Sequence, residues 1–121
     1  MRKRFTLGIL AALALAVGLH AQSRMVLSEQ LTVDSTSGGV TFTAEKITAP
    51  DGTQALTAMC RLETAEIRWT IAQDQTVTAS VGTLMEVGDW ITLRGHDNLV
   101  RFHAIRTTGS SGQLDCTYSN P

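Results

Sequence analysis

The sequence predicts an all-β fold: an antiparallel β-sandwich of seven to eight short strands, immunoglobulin-like in general shape. Apolar residues alternate with polar ones in short runs, as a half-buried strand requires. Clusters of Gly, Asp, Asn and Ser interrupt those runs at intervals of roughly ten residues, the rhythm of sandwiches and small barrels. After the first 21 residues, no long stretch repeats apolar side chains at the helical spacing.

Those first residues, 1–21, read as a secretory leader. Arg2, Lys3 and Arg4 form a positive start, an uncharged Leu/Ala-rich run follows from Phe5 to Leu19, and Ala21 offers a small residue for cleavage. The run is shorter than the roughly 20 apolar residues of a membrane span. No second apolar span follows it, and no cysteine at the junction offers a site for lipid attachment. The expectation is one domain over residues 22–121, periplasmic or secreted.

In that domain, Met25, Leu27, Leu31 and Val33 share one parity of a first strand. Residues 35–39 are a turn cluster, and Val40, Phe42 and Ala44 begin a second strand that ends at Pro50-Asp51-Gly52. Leu56, Ala58, Cys60 and Leu62 give a third strand, and Ile67, Trp69 and Ile71 a fourth with Trp69 in the core. Val77 and Val81 flank a Thr/Ser-rich segment, and residues 84–87 are short and apolar. Gly88-Asp89 turns into a strand holding Ile91 and Leu93. Residues 95–98 read as a further turn, leading to a strand with Val100, Phe102 and Ala104 facing inward. Leu114, Cys116 and Tyr118 share a face of the final strand.

Cys60 and Cys116 are the only cysteines. An even pair in an exported chain reads as one disulfide, and both fall on the apolar parity of their strands. Closing so long a loop stabilises the fold by about 4 kcal/mol in the chain-entropy model. The pair reads as a staple and not a redox site, because no C-x-x-C spacing is present.

Charge narrows the class of partner. The leader holds three of the ten bases and no acid, which leaves seven bases against eleven acids, a net of −4. Nucleic acid and anionic membranes both require a basic footprint and are therefore disfavoured. Metal binding and catalysis find little support. His96, Asp97 and His103 lack the spacing of a three- or four-ligand site, so no metal or cofactor is expected. Glu63 and Glu66, like Glu86 and Asp89, flank turns and do not face each other across a cleft. No nucleophile elbow is present, so an enzyme is not expected.

The few aromatics carry more. Trp90 has the parity opposite to Ile91 and Leu93, which leaves two placements: facing solvent at a strand start, or folded over the sandwich edge. In the first, Trp90 with Asp89 and Arg94 forms a candidate ligand-binding group, since an exposed Trp stacks on a sugar ring or anchors a protein interface. Arg68 and Arg101 alternate with apolar residues and should point outward, pairing with acids such as Glu63, Glu66 or Asp89 across strands. The loop over residues 109–112 is a weak candidate for the reactive loop of an inhibitor.

Ile67-Arg68-Trp69-Thr70, then residues 78–84, then residues 95–106 (GHDNLVRFHAIR) and the ending Leu114-Asp115-Cys116-Thr117-Tyr118 resemble small phage structural or accessory proteins. The resemblance spans residues 55–119. A weaker likeness is to chitobiase-type C-terminal β-sandwich modules of chitin- and hexosamine-degrading enzymes. The chain departs from both patterns at Gln73-Asp74-Gln75, at Val77 and at Cys116. The resemblance implies a β-sandwich without catalytic function and carries over no site residue. Two partner classes follow: protein, either a second copy or a cell-surface protein, and carbohydrate.

Overall fold

The structure, a computed structural model, describes residues 24–120. The leader read over residues 1–21 lies outside the described residues.

Among the described residues, seven strands form two antiparallel sheets. The larger holds β1 (Val26–Val33), β7 (Gly112–Ser119), β2 (Thr57–Thr64) and β5 (Trp90–Arg94), in that order. The smaller holds β4 (Thr83–Met85), β3 (Ile67–Thr70) and β6 (His103–Arg106). The core is built from the inner parities: Leu31 and Val33 of β1, Ala58, Cys60 and Leu62 of β2, and Leu114, Cys116 and Tyr118 of β7. Ile67, Met85 and Ala104 meet them from the smaller sheet. Phe42 stacks on Phe102 at 4.1 Å between ring centres and meets Tyr118 edge-on at 5.3 Å.

The disulfide joins Cys60 to Cys116, which sit directly opposite each other on β2 and β7. Their Cα atoms are 4.1 Å apart, the short spacing of a pair that shares no ladder hydrogen bond. Unlike the inter-sheet bridge of antibody domains, it links neighbouring strands of one sheet. Both sulfurs are fully buried.

Two segments expected as strand are helical instead. The run from Val40 makes only a single bridge, to Ala104, and then enters helix α1 (Ala44–Ile47). Ala, Glu and Lys favour helix, and the donors at its start are met from outside: Glu29 accepts from Thr43 N at 3.1 Å and from Thr43 Oγ1 at 2.6 Å. Residues 95–98, expected as a turn before a long strand, instead open helix α2 (His96–Arg101). Gly95 takes the left-handed φ of +91° and its carbonyl accepts from Asn98 N and Leu99 N. Leu99 and Phe102, three apart, are fully buried, whereas Val100 turns outward and is 53% exposed. The alternation at 100, 102 and 104 coincides with inward parity only at its last two members.

Smaller corrections follow the same logic. Leu56 lies before β2 and is 46% exposed, not part of the buried row. Trp69 shares the inward parity of Ile67 and packs against the core, 6.1 Å from Phe102, but is half-buried and not enclosed. Leu84 and Val87 face outward, leaving Met85 as the buried residue of its run. Arg101 stands on α2 and not on a strand.

Candidate interaction face

The inner parity of the larger sheet is fixed by burial, so its outer parity is fixed too. Ladder register then aligns outer residues into rows across all four strands. One row runs Gln30, Asp115, Arg61, Trp90; the next Ser28, Thr117, Met59, Thr92; the third Val26, Ser119, Thr57, Arg94. No described element covers this face. Trp90 is 62% exposed and Met59 47% exposed. The face thus sets three exposed apolar groups, Val26, Met59 and Trp90, among hydroxyl, amide and charged side chains.

Of the three residues singled out from sequence, the structure brings two to this face. Trp90 and Arg94 both project from the outer side of β5, four residues apart, or about 13 Å along the strand. Asp89 is elsewhere. Its Oδ2 accepts from Glu86 N at 2.9 Å and its carbonyl from Leu62 N at 3.0 Å, so it closes the turn that starts β5. Adjacency in sequence grouped it with Trp90, but turn geometry separates them.

Arg61 lies directly opposite Trp90 and Asp115 on the flanking strands. Its Nη1 pairs with Glu63 Oε2 at 2.8 Å along its own strand, the one ion pair among the described residues. At this exposure the pair adds little stability. The cross-strand pairing expected of Arg68 is replaced by something else. Its Nε donates to Ala79 O at 3.2 Å and its Nη1 to Gly82 O at 2.9 Å, which ties down the loop before β4.

Both ends of the four-stranded sheet are edges. On β5, Gly95 N donates to Leu56 O at 2.7 Å and Leu62 N to Asp89 O, which fixes the phase of the ladder. Ile91 and Leu93 therefore bond to β2, and Trp90, Thr92 and Arg94 direct their backbone groups to the open side. One of these groups has a local partner, since Asn98 Nδ2 donates to Arg94 O at 2.8 Å. On β1 the edge differs, because Glu29 places a carboxylate on the inner parity, held by Thr43 and by the Tyr118 hydroxyl.

The two described histidines, His96 and His103, each bond a backbone carbonyl. His96 Nδ1 bonds to Ala55 O at 3.1 Å and His103 Nδ1 to Arg101 O at 2.8 Å; a carbonyl only accepts, so each Nδ1 carries the proton. Among the described residues no group of three or more His, Cys, Asp or Glu side chains converges as metal ligands would. No described helix is long and apolar enough to cross a membrane. A surface depression of about 410 Å³ lies between Gln75, Arg101 and His103. With its amide oriented to accept, Gln73 bonds both Nε and Nη2 of Arg101 there at 3.0 Å.

Asp34 and Asp51 are turn residues. Each carboxyl sits below its ordinary value, Asp34 through hydrogen bonds from Thr36 and Asp51 through those from Thr53.

Met59, Arg61, Thr92 and Asp115 escape sequence reasoning as members of a site. Each is an ordinary solvent-side residue of its strand, and only the register of distant strands places them together. Comparison with protein-family models, curated proteins and solved structures gives no match.

Proposed function

We propose that this protein is an exported, non-enzymatic structural or interaction module that engages protein through the outer face and edges of its four-stranded sheet. The observation that carries this reading is that face: four strands wide, uncovered, with Trp90 and Met59 exposed among hydrogen-bonding side chains. Tryptophan and methionine supply contact area, and arginine supplies directional donors, the composition of interface centres. Export is supported by the leader reading of residues 1–21 and by a disulfide, which persists in an oxidising compartment. The resemblance to small phage structural proteins supports the non-catalytic module, not export.

The test is the solution mass of the exported, oxidised protein by light scattering across a concentration series. Growth in mass that Trp90→Ala abolishes, with the fold retained, is the expected result. A monomer at every concentration that also binds no cell-surface protein overturns the reading.

A second reading is favoured by one observation, the exposure of the Trp90 indole on the face it shares with Arg61, opposite it on β2, and Thr92, two residues on. An indole face with neighbouring hydrogen-bond donors suits a sugar ring, and the ligand is then a carbohydrate at the cell surface or in the periplasm. Binding in a glycan screen that Trp90→Ala abolishes supports it; affinity unchanged in that variant removes it.

A further inference from the structure

We infer that β5 is a self-pairing edge, through which two copies of this chain join about a twofold axis at Thr92 into one continuous sheet. The inference deepens the interaction-module reading and rests on it. It names the partner, a second copy, and the segment that receives it.

The backbone comes first. Trp90, Thr92 and Arg94 direct their amide and carbonyl groups away from β2, and no described strand pairs with β5 on that side. An edge of this kind is a template for another strand. The single group with a local partner, Arg94 O, keeps a second lone pair beside its bond from Asn98. The strand is bounded by the Gly88-Asp89 turn at one end and by Gly95 at the other, so Thr92 is its midpoint.

Side-chain register decides which strand fits. Antiparallel pairing of β5 with its own copy about Thr92 sets Thr92 against the partner's Thr92 and Trp90 against the partner's Arg94. Cross-strand neighbours lie about 5 Å apart at Cβ, within the range at which a guanidinium is attracted to an indole face. The symmetry makes this pairing occur twice. The two Arg94 side chains, by contrast, lie four residues apart along the ribbon, about 13 Å, so like charges never oppose. The outer row of one copy, Gln30, Asp115, Arg61 and Trp90, then continues into Arg94 and Thr57 of the other.

The opposite edge is less suited to the same role. β1 carries Glu29 on its inner parity, and an inward-pointing charge is a device that discourages edge pairing. β5 has no acid, proline or lysine along its length. The two edges of one sheet therefore differ, and the difference favours a closed pair over an open chain built from β5 of one copy and β1 of the next.

The test uses cross-linking and mass on the exported, oxidised protein. Opposed residues of an antiparallel pair lie within disulfide range, so Thr92→Cys should give a covalent dimer on oxidation. Arg94→Cys, with Trp90 kept, should not cross-link, because the two copies of residue 94 lie about 13 Å apart along the ribbon. Ser28→Cys, on the outer row of β1, is the control and should stay monomeric. In light scattering, Thr92→Pro should abolish the doubling of mass while circular dichroism is retained, because proline is tolerated where the amide faces outward on an edge. Gln30→Pro should leave the doubling intact.

Equal cross-linking by Thr92→Cys and Ser28→Cys, or no cross-linking by Thr92→Cys, overturns the twofold pairing. Association lost in Gln30→Pro assigns contact to β1 and likewise overturns it while leaving the module reading in place. A monomer that still binds a cell-surface protein through Trp90 also rejects self-pairing alone. A monomer that binds none rejects both.

Discussion

The hydroxyl of Tyr118 donates to Glu29 Oε1 at 2.5 Å, so an inward carboxylate on an edge strand is satisfied by a buried phenol on its neighbour. The same carboxylate receives Thr43 N and Thr43 Oγ1, so one side chain joins β1, β7 and the chain leading into α1. Tyr118→Phe should cost about 1.5 kcal/mol, the value of a hydrogen bond to a charged group. Glu29→Ala should cost more, since it leaves the buried hydroxyl unpaired and releases Thr43. A double-mutant cycle in urea denaturation measures the coupling.

Burial, and then the hydrogen bond and charge of Glu29, push the Tyr118 phenol far above its ordinary value of 10.0. The folded protein keeps this proton where the unfolded chain loses it. The contribution is therefore fully present below about pH 10 and is lost above it, with a slope of about 1.4 kcal/mol per pH unit. Tyr118 is the only tyrosine, so tyrosinate absorbance in an alkaline titration should rise only with unfolding. Absorbance that rises while the fold persists would contradict the assignment, and Tyr118→Phe should flatten the stability profile at alkaline pH.

The buried bridge between β2 and β7 should resist mild reductant in the folded protein. Its removal in Cys60→Ala/Cys116→Ala should lower stability by about 2–5 kcal/mol, read as a fall in urea midpoint. Thiol labelling after reductant treatment, with and without urea, checks the protection.

Gly112 and Ala65 should respond in opposite directions. A Cβ on Gly112 would lie 2.4 Å from Ile67 Cγ2 and 2.9 Å from Ala65 O. Gly112→Ala should therefore destabilise by about 1–3 kcal/mol, the usual range for overpacking. Ala65 holds a left-handed φ of +40° at the corner between the sheets. Relieving that strain in Ala65→Gly should stabilise by up to about 1 kcal/mol, after the added freedom of the unfolded glycine. Thermal midpoints of the two variants give the signs.

Arg68 anchors the loop before β4 through two carbonyls. Arg68→Met should cost about 1–2 kcal/mol at roughly 1 kcal/mol per bond. Hydrogen exchange at Ser80 and Val81 should quicken. Arg68→Lys should not restore protection, because an ammonium lacks the fork that spans two acceptors.

Strand parity was legible wherever one face is buried: at Ala58, Cys60 and Leu62, and at Leu114, Cys116 and Tyr118, alternation alone names the inner side. The disulfide followed from cysteine number and parity. The helices did not, since four and six residues are too few to establish a period. α2 shows only the Leu99–Phe102 spacing, beside a chance alternation that includes Val100. Parity also allowed Trp90 to face solvent, one of the two placements left open for it. What it could not supply was the company Trp90 keeps. Arg61 is 29 residues away in sequence yet directly opposite it, because pairing partners are chosen by tertiary assembly. Asp89, next to Trp90 in sequence, is drawn into a turn.

Because β7 lies between β1 and β2, residues 112–119 occupy the middle of the larger sheet and hold its first two strands together. A chain threading out N-terminus first has no template for β1 until those residues emerge. Until then β1 has unpaired backbone on both sides, and β2, which β5 can join earlier, stays open on the side that β7 takes. Such intervals expose strand edges to wrong partners. A nascent chain stalled before Gly112 would thus be a substrate for holding chaperones and proteases.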